Sequence, residues 1–349
     1  STPVVELHNL AYGMHTIEVV GKDQFGTETQ KVSFSFIITA PWYFKWWAFT
    51  IYLILFLILI VFAVYMGRRR LRKQNIWLEG VVAKRTSELE KSYYQIKEQK
   101  EEITASINYA KRIQEAILPR QEDINEALKD YFVLYRPKDI VSGDFYWFAE
   151  VEEQQIFVCA DCTGHGVPGG FMSMIGSDKL NRKVLEEGFD SPSDILRELN
   201  IGIKQSLKQV DDEHSTRDGM DAAIVKIDGL KLTYSGANRP LWIVRNGSLN
   251  EIKPTKAAIA GLTPNEQKYE LHHIQLEPGD AIYLTTDGYP DQFGGEKGKK
   301  FKPKQLKSIL EEIHEFEMPR QEKILSQKLI EWMGNLEQID DVCMVGIRI

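Results

Sequence analysis

The stretch Gln155–Gly170, QIFVCADCTGHGVPGG, decides the fold of the larger part of this chain. It begins with the apolar and β-branched residues of a buried strand and ends in a glycine-rich turn that opens a helix. Asp161 stands at the end of that strand. Because aspartate is a poor strand residue, its place there predicts a role in a turn or in a functional site.

Three further aspartate motifs stand at the ends of predicted strands: Ser142-Gly143-Asp144-Phe145, Thr286-Asp287-Gly288 and Asp340-Asp341. A turn or a helix cap explains any one of these aspartates, but the four motifs together favour a shared site. Carboxylates that converge from separate strand ends are the hard oxygen ligands that Mg²⁺ or Mn²⁺ requires. Two such ions about 4 Å apart can activate water and clamp a phosphoryl group for in-line attack.

The whole segment 119–349 alternates predicted strands and helices, with tight turns such as Asn246-Gly247. Tight hairpins favour antiparallel sheets over a doubly wound parallel sheet. The predicted strands are 132–137, 144–151, 155–162, 222–228, 230–237, 240–252, 272–276, 280–288 and 342–349, and the predicted helices are 169–187, 191–210, about 303–313 and 319–333.

Five motifs in this segment carry a family resemblance: D-C-T-G-H-G-V-P-G, S-G-D-F-Y-W-F, Y-S-G-A-N-R-P-L, T-T-D-G-Y-x-D-Q-F-G and the terminal D-D. Together, over about 130–349, they resemble the SpoIIE-like serine phosphatases of the PPM-type, metal-dependent superfamily. The resemblance implies an α+β fold, an α/β/β/α sandwich of two antiparallel sheets. It also implies a dinuclear Mn²⁺ or Mg²⁺ centre that hydrolyses phosphoserine or phosphothreonine.

The same resemblance assigns ligands to this centre. Catalysis would depend on Asp161, which bridges both metals, and on Asp287. The first aspartate of the terminal pair is the family ligand, so Asp340 is preferred to Asp341. Two departures from the family pattern, Trp147 where many members have a second Asp and Gly170 where a small side chain is usual, remove no ligand. The implied metal ligands are Asp144, Asp161, the Cys162 carbonyl, Asp287, Asp340 and, for a weak third ion, Asp291.

Some residues near these motifs admit two interpretations. His165 is either a general acid or the donor of a loop-stabilising hydrogen bond, and its offset from Asp161 favours the loop. Cys159 and Cys162 form a lone CxxC pair, which favours small apolar strand residues over zinc. The remaining pairs are Asp218 with Asp221, either site residues or a turn before a strand, and Met172 with Met174, which favour helix packing over a binding surface.

A membrane span is predicted from Trp46 to Met66, 21 residues without a charge. As a helix it covers about 31 Å, close to the hydrocarbon thickness of a bilayer. A buried core helix is the alternative. Five Lys or Arg residues follow the span within 68–73, and Lys45 alone precedes it closely. The positive-inside rule therefore predicts a single-pass protein with 67–349 in the cytoplasm, 42–66 as the transmembrane helix and 1–41 outside. The family resemblance implies that the membrane is the bacterial inner membrane.

The external segment 1–41 contains two predicted strands and resembles the end of a Y_Y_Y domain, the β-sandwich that precedes the membrane span in bacterial sensor receptors. Two strands alone are marginally stable, and the chain starts with Ser1. We therefore expect the chain to be the C-terminal part of a longer protein whose upstream sensor binds an extracytoplasmic ligand.

Apolar residues recur every seven positions in 67–118: Val82, Leu89, Ile96, Ile103, Ala110 and Ile117. This heptad seam predicts a signalling helix that forms a coiled-coil homodimer, and Pro119 ends it. Lys100 and Gln114 weaken the seam, and a single amphipathic helix lying on its own domain is the alternative.

Composition and charge argue against a nucleic-acid-binding protein and against a disulfide-stabilised scaffold. The chain carries a net charge of −7, with twelve Lys or Arg against seven Glu in 67–118, so 119–349 is strongly acidic. Such a segment lacks the basic footprint of a nucleic-acid-binding protein, and three cysteines exclude a disulfide scaffold. The prediction is a membrane-anchored phosphatase acting on a phosphoprotein, by family resemblance a STAS-type anti-anti-sigma factor. The alternative is a signalling scaffold with an inactive phosphatase-like domain.

Overall fold

A computed structural model describes residues 4–209 and 216–349 of the chain. Two compact units divide it, one over Ser1–Lys97 and the other over Glu98–Ile349. The first unit contains an antiparallel hairpin of β1 (Gly13–Val19) and β2 (Val32–Ile38), with Gly13 opposite Ile38 and Val19 opposite Val32. Both strands predicted for this segment are therefore present.

A single α-helix, α1, runs without interruption from Trp46 to Ile117. It contains both the predicted membrane span and the heptad seam, and it ends two residues before Pro119. By length and composition it is the one helix among the described residues able to cross a membrane. The seam side chains Leu89, Ile96 and Ile103 are 59–71% exposed, so this chain alone leaves the predicted dimer face uncovered.

Among its described residues, the second unit continues with six α-helices and thirteen strands. In chain order they are α2 (Gln121–Ala127), β3 (Tyr131–Arg136), β4 (Phe145–Val151), β5 (Gln154–Cys162), α3 (Gly166–Leu180), α4 (Pro192–Ser206), β6 (Gly219–Asp228), β7 (Lys231–Ala237), β8 (Leu241–Arg245), β9 (Ser248–Ile252), β10 (Ile259–Ala260), β11 (His272–Gln275), β12 (Ala281–Thr285), α5 (Gly288–Asp291), β13 (Phe293–Gly294), β14 (Lys299–Lys300), α6 (Pro303–Ile313), α7 (Met318–Met333) and β15 (Val342–Arg348).

Two antiparallel sheets form the centre of this unit. One has the order β11-β7-β6-β5-β4, with β10 beside β6, and the other has the order β3-β15-β12-β8-β9. The apolar residues of their facing sides, among them Phe157, Val225, Ile282 and Val345, form one buried cluster between the sheets.

Helices cover the outer face of each sheet, because each helix presents an apolar stripe to it. Leu180 of α3 and Leu199 of α4 pack with Trp147 and Val158 on the first sheet. On the second sheet, Leu310 of α6 and Leu325 of α7 pack with other core residues such as Tyr283. The predicted α/β/β/α sandwich of antiparallel sheets is confirmed.

The differences from the predicted elements are local. Residues Gln121–Ala127 form a short helix after Pro119 that the sequence did not indicate. Helix α3 starts at Gly166 and passes into a π-helical turn over Asn181–Glu186, so the predicted helix 169–187 is present in two geometries. Helix α4 ends at Ser206, and residues 207–209 are not helical, so the predicted helix is too long at this end. Its last predicted position, 210, lies outside the described residues.

Candidate active site

Four of the predicted site aspartates stand at strand ends in the two sheets. Asp144 directly precedes β4 and Asp161 is near the end of β5, whereas Asp287 follows β12 and Asp340 precedes β15. Their carboxylates act on one another electrostatically: Asp287 and Asp340 both raise the pKa of Asp161, which in turn raises the pKa of Asp144. The fold therefore gathers all four at one end of the sandwich.

Two glycines allow the loops of this acidic cluster to pack closely. A Cβ at Gly143 would collide with the carbonyl oxygen of Gly164, in the loop that follows Asp161. A Cβ at Gly288 would collide with the carbonyl oxygen of Asp341. Glycine beside Asp144 and Asp287 is therefore a steric requirement of bringing the four loops together.

Asp144 is the most deeply buried member of the cluster, with 3% of its surface exposed. Burial, followed by the nearby charge of Asp161, raises its pKa well above the usual range. Its Oδ2 atom is buried and has no hydrogen-bond partner among the residues the structure describes. A buried carboxylate oxygen without a partner is costly, which suits an atom that receives a ligand.

Asp161 is also in an environment that opposes its negative charge. Burial raises its pKa to about 8, with contributions from Asp287, Asp221 and Asp340, although Arg239 acts in the opposite direction. The carboxylates therefore outnumber the positive charge that the protein supplies to them.

Arg239 lies inside the cluster, and sequence reasoning missed it. Its Nη2 atom donates hydrogen bonds to Asp161 Oδ2 at 2.6 Å and to Asp287 Oδ2 at 2.7 Å, and it lies 3.4 Å from Asp221 Oδ2. The motif Y-S-G-A-N-R-P-L contained the residue, but an arginine gives no signal of metal chemistry from its type alone.

Asp221, for which the sequence left two interpretations open, belongs to the cluster. It faces Asp161 directly across the β5–β6 pair, and its Oδ1 accepts a hydrogen bond of 2.8 Å from Asn238 Nδ2. Burial raises its pKa. Asp218, by contrast, lies in irregular backbone directly before β6, and Thr163 Oγ1 donates to its Oδ1 at 3.4 Å.

The two aspartates of the terminal pair, Asp340 and Asp341, have different hydrogen-bond partners. Both carboxylate oxygens of Asp341 accept backbone hydrogen bonds of 2.7 Å, Oδ1 from Lys138 N–H and Oδ2 from Gly143 N–H. Asp341 is thus occupied in holding the loop that carries Asp144. The Asp340 carboxylate accepts the backbone N–H of Asp341 at 2.9 Å through Oδ1, and its backbone carbonyl accepts Gln338 Nε2 at 2.8 Å. Among the described residues, no hydrogen bond to its Oδ2 is present, whereas both oxygens of Asp341 have partners.

Asp291 and His165 have partners outside the acidic cluster. Lys300 Nζ donates to Asp291 Oδ2 at 2.7 Å, and the pair is partly exposed. His165 Nδ1 lies 2.7 Å from Asp139 Oδ2 and its Nε2 lies 3.0 Å from Lys138 Nζ. This is the loop-stabilising hydrogen bond that the sequence favoured over a general acid.

The remaining sequence alternatives follow from strand and helix geometry. Cys162 belongs to the core under the helices and Cys159 to the core between the sheets, because residues three apart on a strand point to opposite faces. They cannot share a zinc ion. Trp147, at a departure from the family pattern, is buried and donates to Asn181 Oδ1 at 2.8 Å. Met172 is buried in helix packing and Met174 is half-buried.

Gln114, near the end of α1, is a second residue that sequence reasoning missed. It is 4% exposed and makes three hydrogen bonds. Its Nε2 donates to Ser142 O at 2.6 Å and to Ser173 Oγ at 2.8 Å, and its Oε1 accepts from Ser142 N–H at 3.1 Å. Since Ser142 is two residues before Asp144, Gln114 fixes the loop that carries this aspartate. The polar residue that weakened the heptad seam was the available signal.

The chemistry of the donor set fits divalent metal ions, since it offers several carboxylates, an unpartnered buried oxygen on Asp144 and little compensating charge. The present arrangement is looser than a formed metal site. Within residues 4–209 and 216–349, no three His, Cys, Asp or Glu side chains are grouped so as to hold an ion. The Arg239 guanidinium lies between the carboxylates of Asp161 and Asp287.

The chain is similar to a known protein family and to several solved structures. The model of the family described as Stage II sporulation protein E (SpoIIE) matches residues 152–349. No curated protein sequence matches the chain.

Several solved structures are similar. The SiaA-PP2C domain of Pseudomonas aeruginosa is 30% identical, with a TM-score of 0.65 over 72% of this chain and 98% of that domain. The PP2C phosphatase domain of Bacillus subtilis SpoIIE, with a fragment of its regulatory domain, is 19% identical, with a TM-score of 0.51 over 63% of this chain and 62% of that one. The second likeness supports the fold alone.

Proposed function

The chain belongs to the SpoIIE family of PP2C-type phosphatase domains, and on that premise we propose that it is a membrane-anchored protein serine/threonine phosphatase that requires two Mn²⁺ or Mg²⁺ ions. The observation that carries the proposal is the convergence of Asp144, Asp161, Asp287 and Asp340 from two sheets, with the buried Asp144 Oδ2 lacking a partner. A purely structural acidic cluster would be expected to satisfy such an atom.

Each of these residues has a role in the proposed centre. Asp144, Asp161, the Cys162 carbonyl, Asp287 and Asp340 would hold the two ions. Asp291 would serve a weak third position and would have to release Lys300 to do so. Two bound divalent ions lower the pKa of a water molecule and offset the negative charge of the phosphoryl group.

Other residues keep the ligands in place. Asp341 and Gln114 hold the Ser142–Asp144 loop from two sides, through Gly143 N–H and through both backbone groups of Ser142. Asn238 orients Asp221 toward the cluster. Because these contacts involve backbone groups and buried side chains, they pre-organise the ligand geometry.

A phosphorylated protein is the proposed substrate, with a STAS-type anti-anti-sigma factor as the candidate suggested by the family. A cavity of about 300 Å³ opens beside Asp161 and Asp221. It is lined by Arg217 and by apolar groups, including the exposed side chain of Leu262. This mixture suits the residues that flank a phosphoserine, and the acidic charge of the domain disfavours nucleic acid.

The upstream segment supports anchoring and regulation. The apolar part of α1 matches a single membrane span, and the basic residues after it favour a cytoplasmic phosphatase domain in the bacterial inner membrane. The exposed heptad seam suits a homodimer. An upstream sensor that binds an extracytoplasmic ligand would act through this helix.

A scaffold with an inactive phosphatase-like domain is the second candidate. One observation favours it: in the part of the chain that the structure describes, the acidic side chains surround Arg239 and are not grouped to hold an ion. In that case the domain would bind a partner without hydrolysing it.

Hydrolysis assays separate the two functions. The full chain in detergent is incubated with p-nitrophenyl phosphate and with a phosphoserine peptide, in Mn²⁺, in Mg²⁺ or in EDTA. The phosphatase proposal expects phosphate release that needs a divalent ion and stops with EDTA. If neither substrate is hydrolysed with either ion, the scaffold takes its place.

A further inference from the structure

The backbone around Arg239 is fixed on both sides. Its N–H donates to Ala237 O at 2.7 Å and its carbonyl accepts from Tyr234 Oη at 2.6 Å. The preceding Asn238 adopts a positive φ of 57°, which turns the chain sharply after β7. Pro240 follows and restricts the backbone further. The guanidinium can therefore move by side-chain rotation only, and it stays tethered to the acidic cluster.

One nitrogen of the guanidinium serves three carboxylates. Nη2 lies 2.6 Å from Asp161 Oδ2, 2.7 Å from Asp287 Oδ2 and 3.4 Å from Asp221 Oδ2. These oxygens come from β5, from the turn after β12 and from β6, and they approach a common point. An oxygen that faces Nη2 at hydrogen-bond distance cannot also coordinate an ion at that point, because metal–oxygen distances are about 2.0–2.6 Å.

The hydrogen bonding of Arg239 is not that of a well-satisfied structural arginine. Its side chain is 14% exposed, and its Nε atom is buried without an acceptor among the described residues. Arginine usually meets a carboxylate with two parallel N–H donors. The Arg239 guanidinium reaches three carboxylates through Nη2 while its Nε has no acceptor. Its position is therefore determined by the negative charge of the cluster and not by optimal hydrogen bonding.

We propose that Arg239 is an internal cation that competes with the metal ions for Asp161 and Asp287, so that it sets the metal concentration at which the site is loaded. This inference rests on the proposed metal-dependent function and adds a regulating residue to it. In the protein without metal, Arg239 offsets the repulsion among the carboxylates. Metal binding requires the guanidinium to leave Asp161 and Asp287. Because breaking these contacts costs free energy, they weaken the affinity of the site for metal ions.

The test measures metal binding and thermal stability instead of turnover. Isothermal titration calorimetry with MnCl₂ is performed on the full chain in detergent, for the wild type, Arg239→Gln and Arg239→Lys. We expect Arg239→Gln to bind Mn²⁺ about tenfold more tightly, since two charge-assisted hydrogen bonds no longer have to be broken. Arg239→Lys keeps the charge and should stay close to the wild type. The Tm of metal-free Arg239→Gln should fall, and its rise on adding Mn²⁺ should exceed that of the wild type.

Arg245→Gln is the matched control, because Arg245 pairs with carboxylates away from the proposed ligands. It should lower the Tm and leave the Kd for Mn²⁺ unchanged. An unchanged or weaker Kd in Arg239→Gln, with a wild type that binds Mn²⁺, overturns the competition and leaves the proposed function standing. If Arg239→Gln binds Mn²⁺ and the wild type does not, the result supports the competition. If no form of the chain binds Mn²⁺ or Mg²⁺, both the competition and the metal-dependent function are wrong.

Discussion

The strand pair β8 and β12 carries an arginine–carboxylate cluster at each of its ends, and the two clusters differ in how well they are balanced. At one end, Arg245 binds Asp280 through two nitrogens, at 2.9 and 2.6 Å, while Nη1 reaches Glu277 at 2.9 Å. At the other end, Arg239 meets three carboxylates through Nη2 alone.

The pKa values of the aspartates express the same difference. Burial alone would raise the pKa of Asp280, but hydrogen bonds from Arg245 and from the Glu277 N–H hold it below its usual range. Burial raises the pKa of Asp161 to about 8 in spite of Arg239. At the Arg245 end one arginine meets two carboxylates and satisfies Asp280 with two donors, and we call this end balanced. At the Arg239 end one arginine meets three carboxylates through a single nitrogen, and we call this end unbalanced. The excess negative charge at the unbalanced end is what the proposed metal ions would offset.

The largest expected effect comes from removing a charge at the unbalanced end. Asp161→Asn or Asp287→Asn should abolish turnover and leave the fold intact, because a lost anionic ligand costs the site an ion. Phosphate release at saturating Mn²⁺ measures the loss, and circular dichroism checks the fold. Activity above about a tenth of the wild-type rate, a loss of about 1.4 kcal/mol or less, would show that the ligand assignment is wrong.

The same substitution at the balanced end should act on stability. Asp280→Asn should lower the free energy of unfolding by about 1.5–3 kcal/mol, because it removes charge-assisted hydrogen bonds to Arg245, and the folded variant should retain turnover. Urea denaturation of the two proteins gives the difference.

This stability difference should depend on pH. Because the folded pKa of Asp280 is lowered, its contribution is complete above the unfolded pKa of about 3.9 and declines as the pH falls through the folded value. The wild type and Asp280→Asn should therefore converge in stability below about pH 4. A gap that persists in acid would assign the loss to packing.

A smaller effect is expected from the hydrogen bonds between Gln114 of α1 and Ser142, in the loop that carries Asp144 at the unbalanced end. Gln114→Ala should cost about 1–2 kcal/mol in unfolding free energy, since Ser142 N–H loses its partner and Ser142 C=O keeps only the longer bond of 3.3 Å from Ser173 Oγ. It should also weaken Mn²⁺ binding, because the loop before Asp144 is loosened. Calorimetry compares it with Gln99→Ala, an exposed glutamine of the same helix, and equal Kd values in the two variants would refute the role.

The smallest expected effect concerns helix phase. One residue inserted near Ser106 turns the downstream helix by about 100°, and seven residues restore the heptad register. Phosphatase activity of the protein in vesicles should change several-fold with the first insertion and recover with the second. Equal activity for all insertions from one to seven residues would make the helix a passive tether.

Strand patterns and tight turns were sufficient to predict antiparallel sheets with aspartates at the strand ends, because these are local signals. The α/β/β/α arrangement was predicted from the family resemblance of the motifs around Asp161 and Asp287. The sequence was insufficient for Arg239, Asp221 and Gln114. Each of these residues acquires its role from a partner distant in the sequence, 18 positions away for Asp221, 28 for Gln114 and 78 for Arg239. The polar Gln114 in the apolar seam signals a departure from the heptad pattern, but residue type alone identifies none of these partners. The short helix Gln121–Ala127 was missed because Pro119 was taken as the end of the helical segment.

The position of β15 in its sheet has a consequence for folding during synthesis. Strand β15, Val342–Arg348, lies between β3 and β12 in the second sheet. Strands β3 and β12 can therefore join into one sheet only after β15 is synthesised, more than 50 residues after β12 begins. During synthesis the N-terminal parts of a chain emerge and fold first, yet β3 has no neighbour in its sheet, and Asp144 has no Asp340 beside it, until this segment emerges. A nascent chain therefore cannot assemble the acidic cluster until its synthesis has passed Asp340.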